Sequence, residues 1–422
     1  MFNQGLSLEQ APPISVPFRF FITAPIFAIV LGILILSNDA SMITNRYSNL
    51  AIAMVHLFTL GILSMIIMGA MQQMMPVLAG AVIKKPKIFA TVIHLFLTLG
   101  TIVFVLYFLM GNKNLLIFAT IFLAISFFTF FAYSMRLLFK VEFLTPTVKA
   151  MRVFTIAGFI TILLGIYLAS SHIFLNIGTL HYNIVNIHML FGIFGFALII
   201  IVGVSFQVIP MFYVAKKFPK FVEDKLVNIL FCFLLLYSIF EITQIDTSFV
   251  KVFISLVVIV FSYFALDSLN NRKRPIFDVT LLYWKLSLWS LIISMFVWLF
   301  LSQNNYLLAI TIAFGFLYSL LQGMIYKIIP FLCWFHLTSK GYFAVPTMRE
   351  LIVEDMIKVQ FYIYASSLLV FILANFLSEI FLYIAAIIFI VSNILFLVNI
   401  LFAIKKYQTI VKTKPMDLNT FN

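Results

Sequence analysis

Twelve apolar runs, each long enough to cross the roughly 30 Å hydrocarbon layer of a bilayer, leave this chain few folds to choose from. They fall near residues 16–37, 49–72, 88–110, 114–139, 153–170, 183–209, 226–245, 250–268, 282–301, 305–329, 359–378 and 380–404. A bilayer interior holds no water to satisfy exposed backbone groups, so a spanning segment must be a helix or part of a closed barrel. Barrel strands alternate apolar and polar residues, and these runs do not. Composition agrees, with 64% hydrophobic residues against 10% charged and a mean hydropathy of +1.15. The sequence predicts an all-α, polytopic membrane helix bundle of twelve transmembrane helices, forming a single membrane domain over 1–422.

The net charge of +13 would suit a nucleic-acid partner if it were concentrated on one patch. Its distribution excludes that reading. With the N-terminus placed in the cytoplasm, every one of the 27 Lys and Arg residues falls inside except Arg46, Lys113 and Lys251. Such asymmetry is the positive-inside signal. It predicts cytoplasmic N- and C-termini, and basic loops lying against an anionic leaflet. The lipid bilayer is thus the expected partner, and no nucleic acid is expected. The opening MFNQGLSLEQAPPISVPFRF lacks the basic, apolar and small-residue regions of a signal peptide, so the first run is expected to remain as a helix.

Three of the runs share one pattern, G-x7-G-x3-[Q/K]-x2-P. It reads Gly61, Gly69, Gln73, Pro76, then Gly195, Gly203, Gln207, Pro210, then Gly315, Gly323, Lys327, Pro330. Recurrence at long intervals marks an internal repeat. The marked runs are the second, sixth and tenth, so the chain divides into three pseudo-symmetric four-helix repeats, about 16–140, 150–270 and 280–405. The glycines are expected to admit close helix packing, and each proline to stop or kink its helix. Gln73, Gln207 and Lys327 are costly near a membrane interior. They are candidates for a polar pathway at the cytoplasmic end, with snorkelling to the interface as the plainer alternative.

Of the six histidines, four gather toward the outer face. His56 and His188 lie within the second and sixth runs, and His172 and His181 in the loop before the sixth. A neutral imidazole inside a membrane can ligate a metal or heme iron. His56 and His188 are candidate cofactor ligands, and His172 and His181 candidate metal ligands. His94 and His336 read as structural. Counted back from the prolines, His56 and His188 differ by two residues. That is about 200° of helix, so they do not occupy equivalent positions. Cys232 and Cys333 form no zinc pattern. Glu241, Asp267 and Glu379 sit near helix ends, where an interfacial role is the default. The segment 336–358 mixes charges at helical spacing and is expected to lie as an amphipathic helix on the inner surface or to dock a partner.

Twelve helices in three fours, with HLFTLGILSMIIMGAMQQMMPVLAG in the second, resemble the catalytic subunit of the heme–copper oxidases, cytochrome c oxidase subunit I. PFRFF near the start is similar to the NnrS-like bacterial relatives. The resemblance implies a bacterial inner membrane and respiratory or nitrogen-oxide-related redox chemistry. It also implies heme b with copper as a further cofactor, and a cytochrome or other redox partner. It makes His56 the axial ligand of a low-spin heme and matches His188 to a copper ligand. The family's histidine pair in helix seven and its two histidines in helix ten have no counterpart, so the full oxidase ligand set is not expected. Two other classes stay open: a small-solute or metal transporter, and a non-catalytic assembly or sensor protein on the same scaffold.

Overall fold

The structure, a computed structural model, describes residues 10–273, 275–342 and 345–413. Twelve helices long and apolar enough to cross a membrane account for most of it. They are α1 (Ser15–Leu36), α2 (Asn49–Ala79), α3 (Pro86–Met110), α4 (Lys113–Leu138), α5 (Pro146–Phe174), α6 (Thr179–Tyr213), α7 (Lys220–Ile242), α8 (Ser248–Asn270), α9 (Thr280–Phe300), α10 (Asn305–Ser339), α11 (Glu354–Ala374) and α12 (Ile380–Val411). This is a multi-pass membrane protein, all-α among the described residues. Arg274 and Lys414, two of the basic residues behind the charge asymmetry, lie outside those residues.

Local chemistry sets the helix ends. Gly80 and Gly111 adopt φ +66° and +72° to close α2 and α3, the left-handed turn that glycine enters without a Cβ clash. Thr145 accepts a hydrogen bond from the Val148 amide and Pro146 follows at the first helical position, so α5 starts with both of its entry signals.

The marked helices form the core. The most apolar windows of α2, α6 and α10 are 72%, 83% and 78% buried, against 22–56% for the other nine spans. The peripheral helices turn side chains such as Ile33, Leu95, Phe118, Trp289 and Val398 outward. In water these would be a liability; against lipid they are the expected surface.

Each glycine pair packs against the helix that precedes it in the chain. A Cβ at Gly61 or Gly69 would strike Phe27 or Phe20 of α1. One at Gly195 or Gly203 would strike Ala157 or Ala150 of α5, and one at Gly315 or Gly323 would strike Ser290 or Tyr283 of α9. The partners are seven residues apart in all three cases, two turns along one face.

Eight residues of regular α-helix would place the two glycines about 80° apart, too far round to meet one neighbour squarely. The backbone resolves this. Leu57–Ser64, Phe191–Leu198 and Ile310–Tyr318 are π-helical, and each stretch contains the first glycine of its motif. The wider i→i+5 turn rotates the chain less per residue and brings both glycines onto one side.

The prolines behave less uniformly than expected. α2 and α6 end three residues after Pro76 and Pro210, but α10 continues past Pro330 to Ser339. Segment 336–358 is not one surface helix. It comprises the end of α10, a single turn Met348–Leu351 closed by a Thr347–Glu350 capping box, and the start of α11; Phe343 and Ala344 within it lie outside the described residues.

Candidate bis-imidazole site

His56 and His188 meet. Their ring centroids are 6.3 Å apart and the ring planes differ by 13°. His56 stands directly before the π stretch of α2, and His188 stands three residues before that of α6. π-helical turns recur at functional sites because they re-aim side chains that a regular helix would hold elsewhere.

Each imidazole is fixed by its Nδ1. That of His56 bonds the Ile52 carbonyl at 2.8 Å, and that of His188 bonds the Thr161 carbonyl of α5 at 3.1 Å. A carbonyl only accepts, so both Nδ1 atoms carry the proton and both Nε2 atoms keep a lone pair. Metal-binding histidines are commonly oriented by this second hydrogen bond. Phe104 of α3 lies 4.6 Å from the His56 ring. Gly165 of α5 makes room for His188: a Cβ there would stand 3.2 Å from its Cε1.

A second imidazole pair stands toward the same end of the bundle. His172 and His181 lie 5.4 Å apart at 71°. They are not in a loop: His172 is in the last turn of α5 and His181 in the first turn of α6. Phe108 touches His172 and also Phe104, so an unbroken aromatic line runs from one pair to the other. The Nδ1 of His181 is buried without a partner. Among the described residues no group of three or more His, Cys, Asp or Glu could hold a metal ion. His94 bonds Thr23 at 2.8 Å and packs on Phe20, and His336 is buried beside Phe335.

Arg46, in the α1–α2 connection, spans three helices at this end. It donates to Asn186 of α6 and Asn305 of α10, both at 3.3 Å, and Asn186 donates to Glu241 of α7 at 2.7 Å. From sequence alone Arg46 is one of three outer basic residues and Glu241 an interfacial acid.

The three polar-pathway residues differ in their surroundings. Gln73 is buried with its Oε1 unpartnered, Gln207 is half-buried, and Lys327 pairs with Asp278 and lies over the Tyr213 ring. Burial alone would push the Asp278 carboxyl up. The Lys327 ammonium and hydrogen bonds from Thr280 outweigh it and hold the group below its ordinary value of 3.8. Lys327 is therefore ion-paired with a carboxylate in the connection just before α9.

Sequence reasoning missed a buried polar network among α9–α12. Gln360 accepts from Tyr283 and, at 3.3 Å, from Tyr326. It donates to Gln322 at 2.7 Å and to Ser392 at 2.9 Å, while Asn399 donates to Tyr326 at 2.9 Å. Every member is neutral. The only sequence signal was an unusual number of Gln, Asn and Tyr residues within the last apolar runs.

No protein-family model and no curated protein matches the chain.

Proposed function

We propose that the chain is a heme-binding redox protein of the bacterial inner membrane, with its termini in the cytoplasm, built as three four-helix units around a pseudo-threefold axis. The observation that carries the reading is the His56–His188 pair: two near-parallel imidazoles, each with Nδ1 tied to a carbonyl and Nε2 left free to bond a metal.

The donor set fits iron in a macrocycle better than a bare ion. The two rings lie 6.3 Å apart between centroids and would be close enough to share one metal. Zinc and most copper sites need three or four protein ligands, and no such group exists among the described residues. A heme supplies most of its iron's ligands itself and would need only one or two from the protein, a role that imidazoles fill. Bound there, it would contribute one-electron transfer. His56 and His188 would hold the iron, Ile52 and Thr161 would keep the tautomer, and Phe104 would shield the His56 face from water. The resemblance to heme–copper oxidase subunit I enters with a difference. It would give His56 and His188 to two separate centres, whereas here their ring centroids lie 6.3 Å apart. Copper is the second cofactor considered; the His172–His181 pair is the candidate metal site and would supply two of its ligands, the rest coming from outside the chain's described His, Cys, Asp and Glu residues.

Three observations support the pseudo-threefold arrangement. The π stretches fall at one motif position, the glycine partners share a seven-residue spacing, and the marked helices contribute matching positions to a common void described below.

The transporter class has less support, because Lys327 is ion-paired with Asp278 and none of the three pathway residues lines the void between α2, α6 and α10. The test is metal content. Purified protein expressed with ample heme is expected to carry about one iron per chain. His56→Ala and His188→Ala should each lose it, and His94→Ala should retain it. Iron-free wild-type protein would dispose of the heme reading, and iron retained in both histidine variants would dispose of the ligand assignment.

A further inference from the structure

A void lies where α2, α6 and α10 converge, and its lining repeats. α2 contributes Ile66, Ile67, Ala70 and Met74. α6 contributes Ile200, Ile201, Val204, Ser205 and Val208. α10 contributes Leu320, Leu321, Met324, Ile325 and Ile328, and Trp284 of α9 closes one side. Counted from the first glycine of each motif, positions 5, 6, 9 and 13 line it in all three helices. Gln73, Gln207 and Lys327 stand at position 12, about 100° round the helix from position 13, and none of them lines it.

The void is apolar and small. Its lining polar groups are the Ser205 hydroxyl, which donates to the Ile201 carbonyl at 2.6 Å, and the Trp284 indole N–H, a single buried donor without a partner. A water molecule needs two to four polar partners to stay in a cavity, so this one is dry. Its volume is about 60 Å³, against roughly 150 Å³ for an engineered cavity that takes benzene. Benzene and an acyl chain are too large for it, but xenon or a diatomic molecule is not. The walls at positions 5 and 6 are buried, whereas Met74, Met324 and Ile328 are half-exposed. The void therefore opens toward the proline end, past two thioether side chains that change rotamer easily.

We propose that this axial void is a binding site for a small, uncharged, apolar molecule of diatomic size, which enters between Met74, Met324 and Ile328. The selection is by exclusion. Charged molecules find no counter-charge, hydrogen-bonding ones find at most the single Trp284 indole donor, larger apolar ones find no room in the interior, and a dry void gives a small apolar guest dispersion contacts with all three helices. The site does not depend on the His56–His188 reading, since none of its residues belongs to that pair.

Xenon is the probe. Crystals of the full-length protein pressurised with xenon should show an anomalous peak between Ala70, Val204 and Met324. The peak should vanish in Ala70→Leu and in Val204→Phe, which fill the void from different helices, and should strengthen in Ile201→Ala, which enlarges it. Absence of xenon from this position in pressurised wild-type crystals overturns the proposal. So does ordered water, a detergent tail or a lipid chain occupying it. The wild-type result decides even if a filling variant fails to fold, and iron content does not enter.

Discussion

Gly203 offers the sharpest test of how α5 and α6 fit together. A Cβ built there would stand 2.0 Å from the Ala150 Cβ and 3.5 Å from its Cα. Ala150 has no rotamer to escape by, so the helices must part. Overpacking of this kind costs about 1–3 kcal/mol or more, while replacing glycine by alanine inside a helix returns at most about 1 kcal/mol. Gly203→Ala is therefore expected to destabilise by about 1–2 kcal/mol net. Thr147 adds to the cost, because its hydroxyl bonds the Gly203 carbonyl at 2.9 Å across this contact. Gly192, one turn before Gly195, has only Thr161 Cγ2 near, at 3.9 Å. Gly192→Ala should be neutral or stabilising by a few tenths of a kcal/mol. Thermal unfolding in detergent, followed by circular dichroism, reads both. Ala150→Gly removes the obstructing carbon, and the pair Gly203→Ala with Ala150→Gly should recover most of the loss, because contacting residues are non-additive. An unchanged melting temperature in Gly203→Ala, or no recovery in the double variant, would mean that α5 and α6 do not pack in this register.

Three further outcomes are expected. Gln360→Leu leaves Tyr283, Tyr326, Gln322 and Ser392 short of partners in a wholly buried site; at about 1–3 kcal/mol per unsatisfied group it should prevent stable folding, and a well-folded, wild-type-like melting curve would contradict the network. Asp278 has a folded pKa held below 3.8. Its contribution to stability is therefore complete above that value and is lost as the pH falls through the folded pKa. Thermal stability should drop more steeply for wild type than for Asp278→Asn below about pH 4, and parallel curves would remove the Lys327 pairing from the explanation. Gly165→Leu should drive a side chain into the His188 ring and lower iron content without lowering the melting temperature as far as Gly203→Ala does; full iron content would show that His188 has room to spare.

The twelve spans were legible because bilayer thickness is a coarse ruler and the apolar runs overshoot it. The glycine pattern was legible as a packing signal, but not which helix it packs on. That depended on π-helical turns at Leu57–Ser64, Phe191–Leu198 and Ile310–Tyr318, for which no residue type is diagnostic. The same limit applied to His56 and His188. Their registers showed that they were not equivalent, but their meeting depends on the rotation of two separate helices. Thr161 and Gly165, which orient and accommodate His188, come from α5 and carry no local signal at all. The α9–α12 network was hidden for another reason. Gln322, Gln360 and Ser392 are dozens of residues apart, and each alone is an ordinary polar residue in an apolar run. Pro330 misled as a stop because α10 has neighbours on which to continue, among them the turn Met348–Leu351.

The measurement that bears most directly on the central claim is low-temperature electron paramagnetic resonance of the oxidised protein, with His56→Ala and His188→Ala alongside. Two imidazoles on one iron predict a low-spin ferric signal in wild type that is lost or converted to high spin in either variant. No heme signal in wild type, or a low-spin signal that survives both substitutions, would contradict a centre held between α2 and α6.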